Sequence, residues 1–157
     1  MRFLRILILI LGLVNISFAG SLRYLVVMEP KLKTTNINVE GLKKALKEEV
    51  LSYYKPFENV FFAYGQRPIQ LYEDNDLDAL KDYMDKKGVE VLTIIHKDEE
   101  GFLVDTFVNS EDKVTFANRV LEMEMVDSDL KEYQIIEKIL ETLHELGIID
   151  TRGERRW

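Results

Sequence analysis

The spacing of apolar residues along the chain predicts five strands and three helices. Short runs rich in apolar and β-branched residues predict strands at 22–28, 57–64, 89–96, 102–108 and 113 to about 125. Apolar positions three and four residues apart predict amphipathic helices over about 39–55, 76–88 and 127–147. The predicted element order is therefore β-α-β-α-β-β-β-α.

Polar caps and glycines mark the ends of these helices. Asn38 precedes the first helix, and Asn75 or Asp76 precedes the second, where each side chain can accept a backbone N–H bond. Gly88 and Gly147 follow the second and third helices, where a left-handed residue often ends a helix. The helix boundaries are thus marked independently of the apolar pattern.

Connection lengths determine how the strands can pair. The first two helices are long enough to carry crossovers between parallel strands, and 65–72, which contains Pro68, is predicted to be a loop. The turns at 98–101 and 109–112 are short enough to join only antiparallel neighbours. The predicted fold class is α/β (α+β), a mixed sheet of about five strands with helices packed on it. The apolar parity of the last strand changes near Arg119, which predicts a bulge or bend there.

The first residues have the three-part pattern of a secretory signal peptide. Arg2 and Arg5 form a basic start, residues 6–14 form an apolar run, and the small residue Ala19 precedes a predicted cleavage before Gly20. An uncleaved anchor helix is the alternative, but the run is shorter than the ~20 apolar residues that a bilayer requires. We therefore expect a periplasmic or secreted protein that meets the membrane only transiently, through its signal segment.

Cleavage would leave a single α/β domain at 20–150 and a polar tail at 151–157. The chain has 21 basic and 28 acidic residues, and the leader contains two of the arginines, so the mature chain has a formal net charge of −9. Such a chain repels polyanions, which argues against nucleic-acid binding. The chain has no cysteine, so it forms no disulfide and cannot be a lipoprotein anchored through a cysteine.

The element order of an exported domain, together with two segments, resembles the amino-terminal domain of TolB. The segments are Leu22-Arg23-Tyr24-Leu25-Val26-Val27 and Gly88-Val89-Glu90-Val91-Leu92-Thr93, and the similarity extends through the hairpins and the last helix. That fold recurs in activators of penicillin-binding proteins and in curli-secretion-type envelope proteins. The resemblance implies a module that docks a partner in the cell envelope and has no catalytic activity of its own. The chain lacks the lipidation cysteine and the propeller domain of such proteins.

An acidic cluster is the first candidate for a metal site. Asp74, Asp76 and Asp78 alternate as in a calcium loop, but Ala79 and Asp85 occupy the positions where that loop needs glycine and glutamate. Acids at the start of a helix also complement its dipole and cap its N–H groups. Capping explains the cluster without calcium, and we predict no metal and no cofactor.

Catalytic residues are equally hard to find. The chain has two histidines, His96 and His144, and too few ligands accompany them in sequence for a zinc site, so we interpret both as satisfied or solvated. No serine lies in a glycine-flanked elbow, and no glycine-rich loop follows the first strand. A catalytic pair of carboxylates stays open as an alternative, because the sequence does not reveal which of the 28 acidic side chains lie close together in the fold.

The sequence therefore favours an exported, non-catalytic accessory or adaptor protein of the cell envelope that binds another protein through a sheet edge or helix face. The candidate partner-binding residues are in the tail: Arg152, Arg155, Arg156 and Trp157. Arginine and tryptophan are favoured interface anchors, although a frayed terminus is the alternative. The oligomeric state stays open.

Two alternatives make structural predictions of their own. A small periplasmic hydrolase with spatially assembled carboxylates predicts a deep pocket lined by two carboxylates, or by His96 and an acid. A small-ligand-binding protein predicts an apolar cavity among residues 57–64 and the last helix.

Overall fold

The computed structural model describes residues 22–34, 37–53, 57–99, 101–111, 113–122 and 131–149. Its strands are β1 (Leu22–Met28), β2 (Phe57–Tyr64), β3 (Val91–Lys97), β4 (Gly101–Asn109) and β5 (Val114–Glu122). Its α-helices are α1 (Val39–Tyr53), α2 (Arg67–Glu73), α3 (Leu77–Lys87) and α4 (Lys131–Glu145), and a 3-10 helix spans Pro30–Thr34. Among these residues, no helix is both long and apolar enough to cross a bilayer.

The strands form one mixed sheet in the order β2-β1-β3-β4-β5. β1 is parallel to both β2 and β3, whereas β4 is antiparallel to its neighbours β3 and β5. β1 and β2 are joined by the helical crossover α1, and the chain returns from β2 through α2 and α3 to place β3 on the other side of β1, whereas the antiparallel pairs are joined by short turns. The structure thus confirms the predicted mixed five-stranded α+β fold.

Helices pack on both faces of the sheet. α1 and α4 cover one face, where the core includes Tyr24, Val26 and Ile139. α2 and α3 cover the other face, where the core includes Leu25 and Leu80. Because consecutive residues of β1 are buried on opposite faces, this strand does not alternate between apolar and polar residues, and Arg23 near its start is its one exposed residue.

The predicted caps are confirmed. The Asn38 side chain accepts the backbone N–H of Gly41 at 2.9 Å, and the Asp76 side chain accepts that of Ala79 at 3.0 Å. Gly88 ends α3 in the left-handed conformation, with φ of 69°. Asp76 is therefore a helix cap, which is the interpretation that needed no metal.

The predicted loop at 65–72 is wrong. Residues Arg67–Glu73 form α2, with Pro68 in its first turn. Proline is tolerated there because the first N–H groups of a helix have no partner within the helix. Ile69 and Leu71 of this short helix are buried, and its packing on the sheet stabilises a segment whose local pattern is too short to predict a helix.

The predicted bulge near Arg119 is also wrong. The register between β4 and β5 is constant from Gly101 opposite Glu122 to Asn109 opposite Val114. The parity change instead reflects apolar residues on both faces of β5. Ala117 and Leu121 are buried, whereas Phe116 and Val120 lie on the other face and are 44% and 45% exposed.

Candidate functional site

A cleft lies at the carboxyl ends of β1 and β3. The chain leaves β1 through α1 on one face of the sheet and returns from β2 to β3 through α2 and α3 on the other. Ligands of open α/β sheets bind outside the carboxyl ends of strands at such a reversal of strand order. The cleft has a volume of about 580 Å³ and is lined by four carboxylates, two lysines, His96 and Leu103.

His96, which lines this cleft, belongs to a buried pair of titratable side chains. His96 of β3 and Asp105 of β4 are 6% and 3% exposed, and Nε2 of His96 lies 2.7 Å from Oδ2 of Asp105. His96 is directly opposite Leu103, so Asp105 is its diagonal neighbour on the same face. Each of these two buried side chains provides the hydrogen-bonding partner of the other. This confirms the interpretation of His96 as a histidine whose hydrogen bond is made inside the fold. His144, by contrast, is exposed on α4.

Tyr72 of α2 completes the hydrogen bonding around Asp105. The Tyr72 hydroxyl donates to Asp105 and accepts from Asn118, and its ring lies edge-on to that of His96 with centroids 6.1 Å apart. Burial and the neighbouring charge of Asp105 both raise the pKa of Tyr72 above its usual value. The short helix that sequence analysis missed is therefore the element that positions this side chain.

The geometry allows an acid–base role for His96. The contact with Asp105 engages Nε2, so an acid–base role of His96 would have to use Nδ1. A carboxylate that holds an imidazole in place favours proton transfer by the opposite nitrogen. The hydroxyl of Ser110 lies in the β4–β5 turn and donates to the Lys113 carbonyl.

Glu29 has a structural role at the cleft. Its carboxylate accepts the backbone N–H of Lys97 at 3.1 Å and lies 3.5 Å from the ammonium of Lys31. These contacts tie the carboxyl ends of β1 and β3 together. Across the described ranges, no group of three or more His, Cys, Asp or Glu side chains is arranged to hold a metal ion.

The outer side of β5 is a second candidate surface, which we call the β5 edge. β5 is the last strand of the sheet, and within the described part of the chain no strand pairs with its outer side. Phe116, Asn118 and Val120 are exposed along one face of this strand. Phe116 packs partly on Phe107 of β4, with ring centroids 5.8 Å apart. The edge therefore combines unpaired backbone groups with two exposed apolar side chains.

The opposite face of β5 is fixed to α4 by Arg119. Its Nε lies 3.1 Å from Oε1 of Glu141, and its Nη1 lies 2.7 Å from Oε1 of Glu145. The hydrogen bond to Glu145 is the largest cause of a raised pKa at Arg119, so the guanidinium stays charged. The two contacts hold β5 against the last helix while its other face stays open.

The opposite edge of the sheet has a different character. A groove of about 560 Å³ beside β2 is lined by lysines of α1, and Lys43 and Lys47 lie over the ring of Phe62. Phe61 is 40% exposed, with the guanidinium of Arg23 5.6 Å from its ring centroid. The small-ligand hypothesis predicted an apolar cavity here against the last helix, but the groove has a basic rim supplied by α1.

Only some of the site residues predicted from the sequence lie in the part of the chain that the structure describes. The predicted cleavage site at Ala19 and Gly20 lies outside the described residues. The four tail candidates also lie outside them: Arg152, Arg155, Arg156 and Trp157. The hydrolase hypothesis predicted a deep pocket; His96 and acidic side chains do line one cleft, but that cleft is open rather than deep. Tyr72 and Asp105 were missed, because only the pairing of β3 with β4 and the packing of α2 bring them to His96.

Comparison with known proteins adds no functional information. Neither a protein-family model, nor a curated protein, nor a solved structure matches the chain. The resemblance to the TolB amino-terminal domain therefore stays a prediction. What can be proposed about function rests on the geometry of the cleft and of the β5 edge.

Proposed function

We propose that this chain is an exported, non-catalytic accessory protein of the cell envelope that binds a protein partner by strand addition at the β5 edge. The observation that carries the proposal is the open outer side of β5, which no strand covers within the described ranges. An edge strand presents a row of unpaired N–H and C=O groups, and an extended segment of a partner can pair with them.

The composition of β5 supports this role. Edge strands are usually protected by proline, by inward-pointing charges or by a bulge. β5 contains no proline, and its register with β4 is regular over all nine residues. Arg119, the charged residue in the middle of the strand, is engaged by Glu141 and Glu145. β5 therefore lacks a proline and a bulge, and its central charge is held against α4 rather than at the outer side of the strand; Glu122 is the exposed charge at its end.

Two exposed apolar side chains would add specificity to backbone pairing. Phe116 and Val120 lie on the same face of β5, four residues apart, with Asn118 between them. In strand addition the main chain provides affinity, and alternate side chains of the added strand provide specificity through their contacts. A partner segment with apolar residues at alternate positions fits this surface.

Export is the part of the proposal that rests on the signal-peptide pattern. The basic start, the apolar run and the small residue before Gly20 support cleavage. Subcellular fractionation with mass determination of the mature protein tests it. We expect an envelope or secreted species that begins at Gly20, whereas an intact cytosolic chain that still carries Met1 would contradict it.

Partner binding is tested with two matched variants. Phe116→Lys places a charge on the β5 edge, and Phe61→Lys makes the same change at a residue of similar exposure on β2, the other edge of the sheet. Each tagged variant is used to capture crosslinked envelope proteins. We expect Phe116→Lys to lose a specific partner that the native chain and Phe61→Lys retain. Equal recovery by both variants, or no partner for the native chain, would contradict the proposal.

A second candidate function is favoured by the His96–Asp105 pair in the cleft. A small hydrolase or a small-ligand-binding protein would use His96 Nδ1 toward its ligand. Nuclear magnetic resonance with a library of small esters, amides and phosphate esters tests it. Saturable changes in the chemical shifts of His96 and its neighbours in the cleft, lost in His96→Gln, would support this candidate. A native protein whose chemical shifts do not change with any compound of the library would contradict it.

A further inference from the structure

We infer that the β5 edge is self-complementary, and that in the absence of its partner a second copy of this chain pairs with it. The two copies would add β5 to β5 in antiparallel orientation and join two five-stranded sheets into one. This inference shares the β5 edge with the proposed function, because the second copy would occupy the surface on which the partner docks.

One register follows from the symmetry of such a pair. A two-fold axis perpendicular to the sheet keeps each face of β5 on the same side, so residue pairs must be symmetric about one residue. With Asn118 at the axis, Val114 lies opposite Glu122 and all nine residues of β5 are paired. A centre at any other residue shortens the overlap. The longest pairing therefore places Asn118 opposite Asn118.

The same register buries the exposed apolar side chains. Phe116 of each copy lies opposite Val120 of the other, since both are two residues from Asn118. An aromatic residue opposite a β-branched one is a favourable cross-strand pair. Both side chains, which are 44% and 45% exposed in the single chain, would be covered at once. The pairing thus removes the two largest exposed apolar groups of this strand together.

The position of Arg119 is also compatible with the register centred on Asn118. Ala117 lies opposite Arg119, so the two guanidinium groups do not face each other directly. Each Arg119 is already neutralised by Glu141 and Glu145 of its own chain. A centre moved by one residue to Arg119 would place the two arginines opposite each other, and like charges directly opposite destabilise a pair of strands. Charge therefore favours Asn118 over its neighbour as the centre.

The pairing has a consequence for regulation. A single pair of strands buries far less than the about 1,600 Å² of a standard stable interface, so we expect a reversible dimer. The dimer hides the backbone groups of β5 while the partner is absent. A partner strand must then displace the second copy, and partner binding and self-association compete for one edge.

Cysteine substitutions test the register, because the native chain has no cysteine. Directly opposite residues of antiparallel strands have Cα atoms about 4.5–5.5 Å apart, within the range that a disulfide spans. Asn118→Cys at the axis should therefore form a disulfide-linked dimer under mild oxidation. Asn59→Cys is the matched control, because Asn59 is an exposed asparagine on the edge strand β2 at the other side of the sheet.

The expected result is a rate of dimer formation at least about tenfold higher for Asn118→Cys than for Asn59→Cys. An equimolar mixture of Phe116→Cys and Val120→Cys should give more mixed dimer than random pairing produces, because those two positions face each other. Equal rates at positions 118 and 59, or a statistical mixture of dimers, would overturn the inference. Near-native circular dichroism of each variant shows that it folds.

Sedimentation of the cysteine-free protein provides an independent measurement. The native chain should show a monomer–dimer equilibrium that Val120→Lys weakens at least about tenfold, which corresponds to about 1.4 kcal/mol. A chain that stays monomeric at every concentration would overturn the inference but leave the proposed partner binding intact. A native chain that dimerises but captures no envelope partner would instead contradict the proposed function alone.

Discussion

The imidazole of His96 lies 2.7 Å from the carboxylate of Asp105, on adjacent antiparallel strands and almost entirely out of contact with solvent. Buried polar groups are costly unless their hydrogen bonds are made, and here each side chain satisfies the other. His96 also lines an open cleft at the carboxyl ends of β1 and β3, whereas Asp105 lies behind it and is not among the lining residues. The pair therefore satisfies buried polar groups of the fold and holds one side chain of the cleft in place.

Removing one member of this pair should destabilise the protein strongly. Asp105→Ala leaves His96 and the Tyr72 hydroxyl without their acceptor, and each buried polar group that loses its partner costs about 1–3 kcal/mol. Urea unfolding measures the loss in the free energy of unfolding. Asp82→Ala, an exposed acid on α3, is the control and should change it by about 0.5 kcal/mol or less.

A double substitution separates the pair from its surroundings. His96→Leu combined with Asp105→Leu replaces both polar groups by apolar ones of similar size, so no uncompensated buried charge is left. We expect the double variant to be more stable than Asp105→Ala. The single variants His96→Leu and Asp105→Leu complete the comparison. If their two losses in the free energy of unfolding added up to the loss of the double variant, the two side chains would not be acting as a pair.

A chain of hydroxyl groups crosses the other face of the sheet. Tyr24 is hydrogen-bonded to Thr93 at 2.6 Å, Thr93 to Thr106 at 2.6 Å, and Thr106 to Thr142 at 2.7 Å. Thr106→Val removes the middle link and should lower the free energy of unfolding by about 1–3 kcal/mol. Thr115→Val, at an exposed position of β5, should leave it nearly unchanged. Equal effects of the two substitutions would contradict a structural role for the chain of hydroxyls.

Alkaline pH should destabilise the protein through Tyr24. Complete burial raises the pKa of Tyr24 far above its ordinary value of 10.0. Above pH 10 the unfolded chain loses this proton while the folded protein keeps it, so the free energy of unfolding falls as pH rises. The contribution of Tyr24 is about 1.4 kcal/mol per pH unit.

Tyr24→Phe isolates this contribution from that of other groups. Tyr72 and Tyr83 also have raised pKa values and remain in the variant. Urea unfolding of both proteins across the alkaline range should give a shallower decline for Tyr24→Phe. Parallel declines would show that Tyr24 ionises equally in the folded and unfolded chains.

Two glycines should respond differently to alanine. A Cβ on Gly101 would overlap the carbonyl oxygen of Leu121 in the neighbouring strand, so Gly101→Ala should cost about 3 kcal/mol through displacement of β4 from β5. Gly147, after α4, has open space around it and a φ of 77°, so Gly147→Ala should cost only about 1 kcal/mol of backbone strain. Thermal unfolding ranks the two, and the reverse order would contradict the β4–β5 pairing.

The fold was largely predictable because its signals are local or depend on connection length. The caps at Asn38 and Asp76 and the left-handed Gly88 each involve residues within a few positions of one another. The short turns required antiparallel pairing, and the helical connections allowed parallel pairing. Two predictions were wrong. Arg67–Glu73 was predicted to be a loop, but packing on the sheet stabilises a helix there. A bulge was predicted near Arg119, but the register is regular and β5 has apolar residues on both of its faces.

The candidate sites were less predictable because they depend on register. His96 and Asp105 meet only because β3 pairs with β4 in the observed alignment. Tyr72 reaches Asp105 from a helix that its sequence does not reveal. The alternation of Phe116 and Val120 was visible in sequence, but only the strand order shows that their strand is an edge.

A photoreactive amino acid at the β5 edge tests the central claim most directly. It is placed at Asn118, and separately at Asn59 on β2 as the matched control, and each protein is illuminated in the native envelope. We expect one protein adduct of defined mass from position 118, with competition from an excess of the native chain, and none from position 59. Adducts of the same identity and yield from both positions, or none from position 118, would contradict binding at the β5 edge.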